Sequence, residues 1–247
     1  RKIADPEILL ILNDKFKCYE TLRKYYKREA ISISESEDKE PFIDFCSRHR
    51  VFFAKPLSSF GGKGVRRICL EPDSDLEVLF GEFLSDGDTI LEEPIIQAEA
   101  MARFHPSSIN TVRIVTENRD DTVSIVQTSV RLGRGGSVVD NGCLSASVDT
   151  EGGIITSPGR SPHEKGLYIR HPDTNVQILG AQIPSWNEVL DLVKRLAEEL
   201  KSQRIIGWDL AMSEEGWVVV EANANPAIQI LAGEGVGMRK AFEAMIR

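Results

Sequence analysis

Hydrophobic and polar positions alternate along this chain in two rhythms. The first stretch, "DPEILLILNDKFKCYETLRKYYKRE" (5–29), carries apolar residues at helical spacing, with Asp5 as N-cap and Pro6 in the first helical position. Residues 32–40, "SISESEDKE", are polar and acidic and read as a loop, and "PFIDFCSRH" (41–49) reads as a short helix. A compact α+β stretch follows: strand "VFFAKPL", a glycine-rich turn, strand "GVRRICL", helix "SDLEVLFGEFL" and strand "TILEEPII". Then come the strands "NTVRIVTEN", "TVSIVQTSVRLG" and "CLSASVD", separated by the turn signals "RDD", "RGGSVVDNG" and "TEGG". After a polar insertion (155–175), "SWNEVLDLVKRLAEELKSQ" predicts an amphipathic helix with Ser185 as N-cap and Glu188 completing a capping box. The end of the chain predicts a hairpin, "IIGWDLAMSEEGWVVVEANANP", and a final helix.

Composition narrows the class. With 41% hydrophobic and 28% charged residues the chain has the balance of a globular protein. No apolar run reaches membrane-spanning length, so no membrane insertion is expected. A formal net charge of -8 argues against nucleic acid as a partner. Cys18, Cys46, Cys69 and Cys143 are scattered without metal-site or disulfide spacing, which points to a reducing, cytoplasmic compartment. Nothing reads as a signal peptide, and a start at Arg1 leaves room for residues in front.

Four places carry candidate chemistry. In the terminal hairpin, Glu221 and Asn223 share one face of their strand, and Asp209 can lie opposite them if the strands pair around "SEEG". Two carboxylates and an amide oxygen make a hard oxygen set suited to Mg²⁺; the plainer reading is a polar strand end satisfying its own loop. In "AKPLSSFGGKGVRRI", Lys55 precedes a turn of Ser58, Ser59, Gly61, Gly62, Lys63 and Gly64. Such a turn lets backbone N–H groups approach an anion, although an ordinary hairpin turn looks similar. In "LEEPIIQAE", Pro94 breaks the ladder and suggests a hinge, with Glu93, Ile95 and Ile96 beside it and Gln97 and Glu99 beyond. Finally, Arg113 and Arg131 each lie inside a strand, where a cation needs a partner: a salt bridge, or a phosphoryl group clamped between them.

In that order, from about Asn13 to Pro226, these features resemble the ATP-grasp superfamily. The segments "NDK", "KPLSSFGGKGV", "PSSINTVRIVT", "SVRLGRGGSVVDN", "GWDLAM" and "EANANP" are most similar to its sugar-transfer-associated branch. More distantly, "NTVRI", "SVRLG" and "VVEANANP" resemble ligases that add glutamate to ribosomal proteins. The resemblance implies an α+β, ATP-grasp fold in which two α+β lobes grip ATP between them. It divides the chain into a reduced helical N-terminal region (1–50), a flap or lid subdomain (51–98) and a C-terminal core (99–247).

It also implies roles. Lys55 would contact the α/β phosphates and the 61–64 flap would cover the β/γ phosphates, with Ser58, Ser59 and Lys63 in the same turn. Glu93 and the Pro94–Ile96 backbone would hold adenine, and Gln97 or Glu99 the ribose. Arg113 and Arg131 would stabilise the transferred phosphoryl group and the acyl phosphate, and Asp209, Glu221 and Asn223 would bind Mg²⁺. Two departures stand out. Relatives often carry a glycine pair after the "DN" that here has only Gly142, so acceptor chemistry does not transfer, and the region before the flap is short. Cys143, near the presumed acceptor site, reads as structural.

The expected activity is an ATP- and Mg²⁺-dependent carboxylate–amine ligase working through an acyl phosphate on small-molecule acid and amine substrates, a glycan or its precursor being one acceptor. One alternative is a kinase on the same fold, passing the γ-phosphate to a sugar or other small molecule. A non-catalytic nucleotide-binding module is another. Oligomeric state stays open.

Overall fold

Two helices stand where the sequence pattern predicts one. Helix α1 (Pro6–Leu12) is capped by Asp5, whose Oδ1 accepts the Glu7 N–H at 2.9 Å. The chain then restarts at Asp14, whose Oδ1 accepts the N–H groups of Phe16 and Lys17 at 2.9 and 3.0 Å, opening α2 (Lys15–Tyr26). A second cap two residues after the first helix ends it, while the apolar spacing runs on through the break.

The computed structural model describes residues 4–57, 63–136 and 143–226. Its contacts gather into two compact units, one of residues 13–95 and one of residues 1–12 with 96–247. The expected final helix lies outside the described residues.

The unit of residues 13–95 is built on a four-stranded antiparallel sheet in the order β1 (Ala30–Ile33), β4 (Thr89–Glu92), β2 (Val51–Pro56), β3 (Arg66–Cys69). Strand β1, a short 3₁₀ turn (Ser36–Asp38) and the start of α3 (Lys39–Arg48) occupy most of the stretch expected as a loop. That strand is only four residues long, and its partner β4 is remote in sequence, so no local pattern announces it. Phe42 and Phe45 of α3 pack with Phe80 and Phe83 of α4 (Leu76–Asp86), and with Ile33, Phe52, Ala54 and Leu91 of the sheet. Burying each ring contributes about 2–3 kcal/mol. Strand β4 ends at Glu92 rather than running to Ile96. The Glu93 N–H still reaches the Glu29 carbonyl at 2.9 Å, and Pro94 then has no donor to offer.

The other unit holds a five-stranded antiparallel sheet: β7 (Leu144–Ser147), β6 (Thr122–Leu132), β5 (Thr111–Arg119), β8 (Ile205–Ser213), β9 (Gly216–Asn223). Alternation puts Val112, Ile114, Val130, Leu132, Leu144, Ala146, Trp208 and Leu210 at buried positions, leaving the alternate face for polar groups. A short helix, α5 (Glu99–Ala102), precedes the sheet. Helix α6 (Trp186–Glu199) lies against β5, β6, β8 and β9 and buries Val189, Leu192, Val193 and Leu196.

The expected capping box of α6 is not made. Ser185 sits at φ 48°, its side chain makes no cap bond, and the Glu188 N–H donates to the Ser185 carbonyl at 3.0 Å. The helix start is anchored instead by Trp186, which lies so close to Gly153 that a Cβ there would meet its ring at 2.4 Å. Among the described residues no helix is long and apolar enough to cross a membrane.

Candidate active site

Strands β8 and β9 pair with Asp209 opposite Glu221 and Gly207 opposite Asn223. All four positions face the same side, so the sheet collects two carboxylates and an amide there. Gly207 leaves the room that Pro226 fills, since a Cβ on it would meet the Pro226 Cβ at 2.6 Å. Pro226, three residues past the end of β9, thus packs against Gly207 of β8.

Strand β5 carries Arg113 opposite Asp209 on its other neighbour. Arg113 Nε donates to Asp209 Oδ1 at 2.7 Å and its Nη2 to Oδ2, so the pair is bidentate and largely buried. Arg131 on β6 brings its Nη1 to 4.0 Å from Asp209 Oδ2. The hydroxyls of Ser129, opposite Arg113, and of Ser145, opposite Arg131, are buried on this same face.

In the unit of residues 13–95, Lys55 lies on β2 with its side chain on the same face as Glu92, and its Nζ donates to Glu92 Oε2 at 2.7 Å. Arg28, just before β1, donates to that oxygen through Nη2 at 2.9 Å and Nε at 3.2 Å, its guanidinium lying 4.6 Å from the Tyr26 ring. Burial alone would raise the Glu92 carboxyl. Arg28 and Lys55 outweigh it and hold the group at about 2, so it stays ionised as their shared counter-ion.

The sequence profile of the sugar-transfer associated ATP-grasp family matches residues 1–244. The chain belongs to that family. Among curated protein sequences none matches closely enough to count as a relative. Solved ATP-grasp structures share the fold. A D-alanine–D-alanine ligase from Helicobacter pylori is similar with a TM-score of 0.59 at 12% identity, over 97% of this chain and 61% of that one. An ATP-grasp ligase, PsnB, solved with minimal precursor, gives 0.53 at 18% identity, over 99% and 63%. An N5-carboxyaminoimidazole synthetase from Staphylococcus aureus, complexed with ADP, gives 0.56 at 13% identity, over 89% and 46%. This chain therefore spans about half to three-fifths of the length of those structures.

Within this ATP-grasp chain the remaining sequence candidates fall as follows. Ser58, Ser59, Gly61 and Gly62 lie outside the described residues, as does Gly142. Lys63 is exposed, and Gly64 adopts φ 78° with Pro56 packed where a Cβ would stand. Glu93 accepts the Glu29 N–H at 3.1 Å, and Pro94 and Ile95 are half-buried. Ile96 is exposed, and its carbonyl accepts the Glu214 N–H at 3.2 Å. Glu99 is exposed at the start of α5.

Gln97 has other work. Its Oε1 accepts the Asn110 N–H at 2.7 Å, and its Nε2 donates to the Ser108 carbonyl at 3.2 Å. Cys143 is buried beside β7. Sequence reasoning passed over Arg28 and Glu92. The only signal for Glu92 is strand alternation, which sets it on the Lys55 face once β2 and β4 are known to pair.

Proposed function

We propose that the protein is an ATP- and Mg²⁺-dependent carboxylate–amine ligase that joins an amino acid to a glycan, a glycan precursor or another small acceptor. The observation that carries the reading is the row Arg113–Asp209–Glu221 across three adjacent strands, with Arg131 beside it. A carboxylate is a poor electrophile. The γ-phosphoryl group of ATP passes to its oxygen, and the amine nitrogen then attacks the acyl carbon. The C–O bond to phosphate breaks, the amine loses a proton, and ADP and phosphate leave.

Both halves of that sequence concentrate negative charge on oxygen, and Arg113 and Arg131 are the cations to meet it. Lys55, held by Glu92, would take the α/β phosphates, and the turn containing Lys63 and Gly64 would cover the β/γ phosphates. Glu93 and the backbone of 94–96 would receive adenine. Glu99 is the better ribose partner, because both ends of the Gln97 amide are engaged.

The hairpin's donors fit Mg²⁺. Asp209, Glu221 and Asn223 offer hard oxygens, and among the described residues no group of three His, Cys, Asp or Glu could enclose an ion alone. Mg²⁺ usually takes one or two carboxylates and leaves its other positions to water and phosphate. When bound it would neutralise phosphate charge.

The test incubates the protein with MgATP, a pool of carboxylic acids and hydroxylamine, which traps an acyl phosphate as a hydroxamate. Free phosphate and hydroxamate, both lost in Arg131→Ala, support the ligase. ADP with a phosphorylated product and no free phosphate overturns it in favour of a kinase.

A further inference from the structure

The strand that carries Arg131 ends at Leu132, and the next backbone groups have no ladder to join. Side chains take the ladder's place. The Gly133 N–H donates to Asn110 Oδ1 at 3.1 Å, and the Gly133 carbonyl lies 2.8 Å from His171 Nε2. The Gly135 N–H donates to Asp173 Oδ2 at 2.7 Å, and the Gly135 carbonyl lies 2.8 Å from His105 Nε2. The N–H and carbonyl of both Gly133 and Gly135 are thus met by four side chains, from 105–110 before β5 and from the polar insertion.

The histidine protons follow from the partners. The Asp173 N–H donates to His171 Nδ1 at 3.3 Å, so the ring proton sits on Nε2 and goes to Gly133. His105 Nδ1 lies 2.8 Å from the Ser108 hydroxyl, and His105 Nε2, facing a carbonyl that can only accept, gives a proton to Gly135. The two rings lie 5.7 Å apart.

The fit is close. A Cβ on Gly133 would meet Ser108 Oγ at 1.9 Å and His105 Nδ1 at 2.5 Å. Asn110 is fully buried and is fixed from the far side, its Nδ2 donating to Gln97 Oε1 at 3.0 Å and to the carbonyls of Met101 and His105 at 3.0 and 2.9 Å. Arg134 pins the middle of the loop, its guanidinium 3.2 Å from Glu164, 3.4 Å from Asp173 and 5.4 Å from the Tyr168 ring centroid.

We propose that Asn110, His105, His171 and Asp173 are positioning residues for Arg131, fixing the Gly133–Gly135 backbone and with it the end of β6 from which Arg131 approaches Asp209. The inference rests on the proposed function for what Arg131 does, but the brace itself does not. It assigns a purpose to the insertion of residues 155–175: its His171 and Asp173 hold the loop, and its Glu164 and Tyr168 hold Arg134.

The test compares His171→Leu, which has no donor, with His171→Gln, whose amide N–H can stand where Nε2 stood. Each full-length variant is assayed for ADP release with MgATP, the acid pool and hydroxylamine, for affinity toward a non-hydrolysable ATP analogue, and for hydrogen exchange in peptides covering 130–136. His171→Leu should lower turnover on the order of tenfold or more with analogue affinity held, because a misplaced group costs rate and not nucleotide binding. Exchange should quicken in 130–136, and His171→Gln should recover most of both. Equal turnover in wild type and His171→Leu, affinity falling in step with turnover, or unchanged exchange would overturn the inference. If His171→Leu does not fold, His171→Asn, whose amide falls short of Gly133, replaces it with the same readouts. If the wild type neither binds the analogue nor releases ADP, the proposed function has failed. Exchange alone then decides the brace: faster in His171→Leu and not in His171→Gln supports it, and no change overturns it.

Discussion

Asp209 is shared property: Arg113, 96 residues away in sequence, holds both of its oxygens, while Glu221 faces it from the next strand. The three side chains can therefore be separated by substitution. Asp209→Asn removes the charge that the largely buried Arg113 grips through two nitrogens, and stability should fall by about 3–5 kcal/mol together with turnover. Denaturant unfolding beside the ADP assay measures both.

Glu221→Gln keeps the size, removes the charge and turns one acceptor oxygen into a donor NH₂. Turnover should fall by orders of magnitude while the unfolding midpoint stays close to that of wild type. A variant that is destabilised by several kcal/mol and still turns over would make Glu221 a structural strand end, not a metal ligand.

Lys55 is half of a partly buried pair whose other half, the buried Glu92, is also held by Arg28. Lys55→Met should leave the protein folded, because the Arg28–Glu92 pair survives. A non-hydrolysable ATP analogue should raise the melting temperature of wild type in a magnesium-dependent way, and this shift should be lost in Lys55→Met. An equal shift in both proteins would remove Lys55 from the nucleotide site.

Glu92 also predicts a pH dependence. Its folded value is depressed to about 2 from an ordinary 4.5, so the unfolded chain binds the proton first as acid is added. The stability that Glu92 contributes is complete above about pH 4.5 and is lost as the pH falls toward 2. Wild type should lose stability through that window more steeply than Glu92→Gln, which has no proton to bind there. Parallel curves from urea unfolding between pH 5 and about pH 2 would show that the pair contributes nothing.

Gly207→Ala tests the turn beside the site. The added Cβ would stand 2.6 Å from the Pro226 Cβ, so one of them must move, at about 1–3 kcal/mol. Metal-dependent turnover should fall with it, because Asn223 is opposite Gly207. An unchanged melting temperature would mean that Pro226 is free to leave.

Much of this was written locally in the chain. The period of two in "WVVVEAN" puts Glu221 and Asn223 on one face, and the same rule places Arg113 and Arg131 inside strands, because side-chain alternation depends only on immediate neighbours. Asp5 and Pro6 announced the first helix for the same reason. The order of motifs carried the family. What the chain could not state by itself is which distant groups meet. The bidentate hold of Arg113 on Asp209 needs the β5–β8 register, and the Glu92 cluster needs β1, β4 and β2 side by side. Two His-Pro steps, at 105–106 and 171–172, look like ordinary loop residues until the fold brings their rings 5.7 Å apart under one backbone turn. A local pattern sets the direction in which a side chain leaves the backbone; only long-range pairing sets what it finds there, and the bonds that tie Gly133 and Gly135 to Asn110, His105, His171 and Asp173 join segments that the sequence keeps apart.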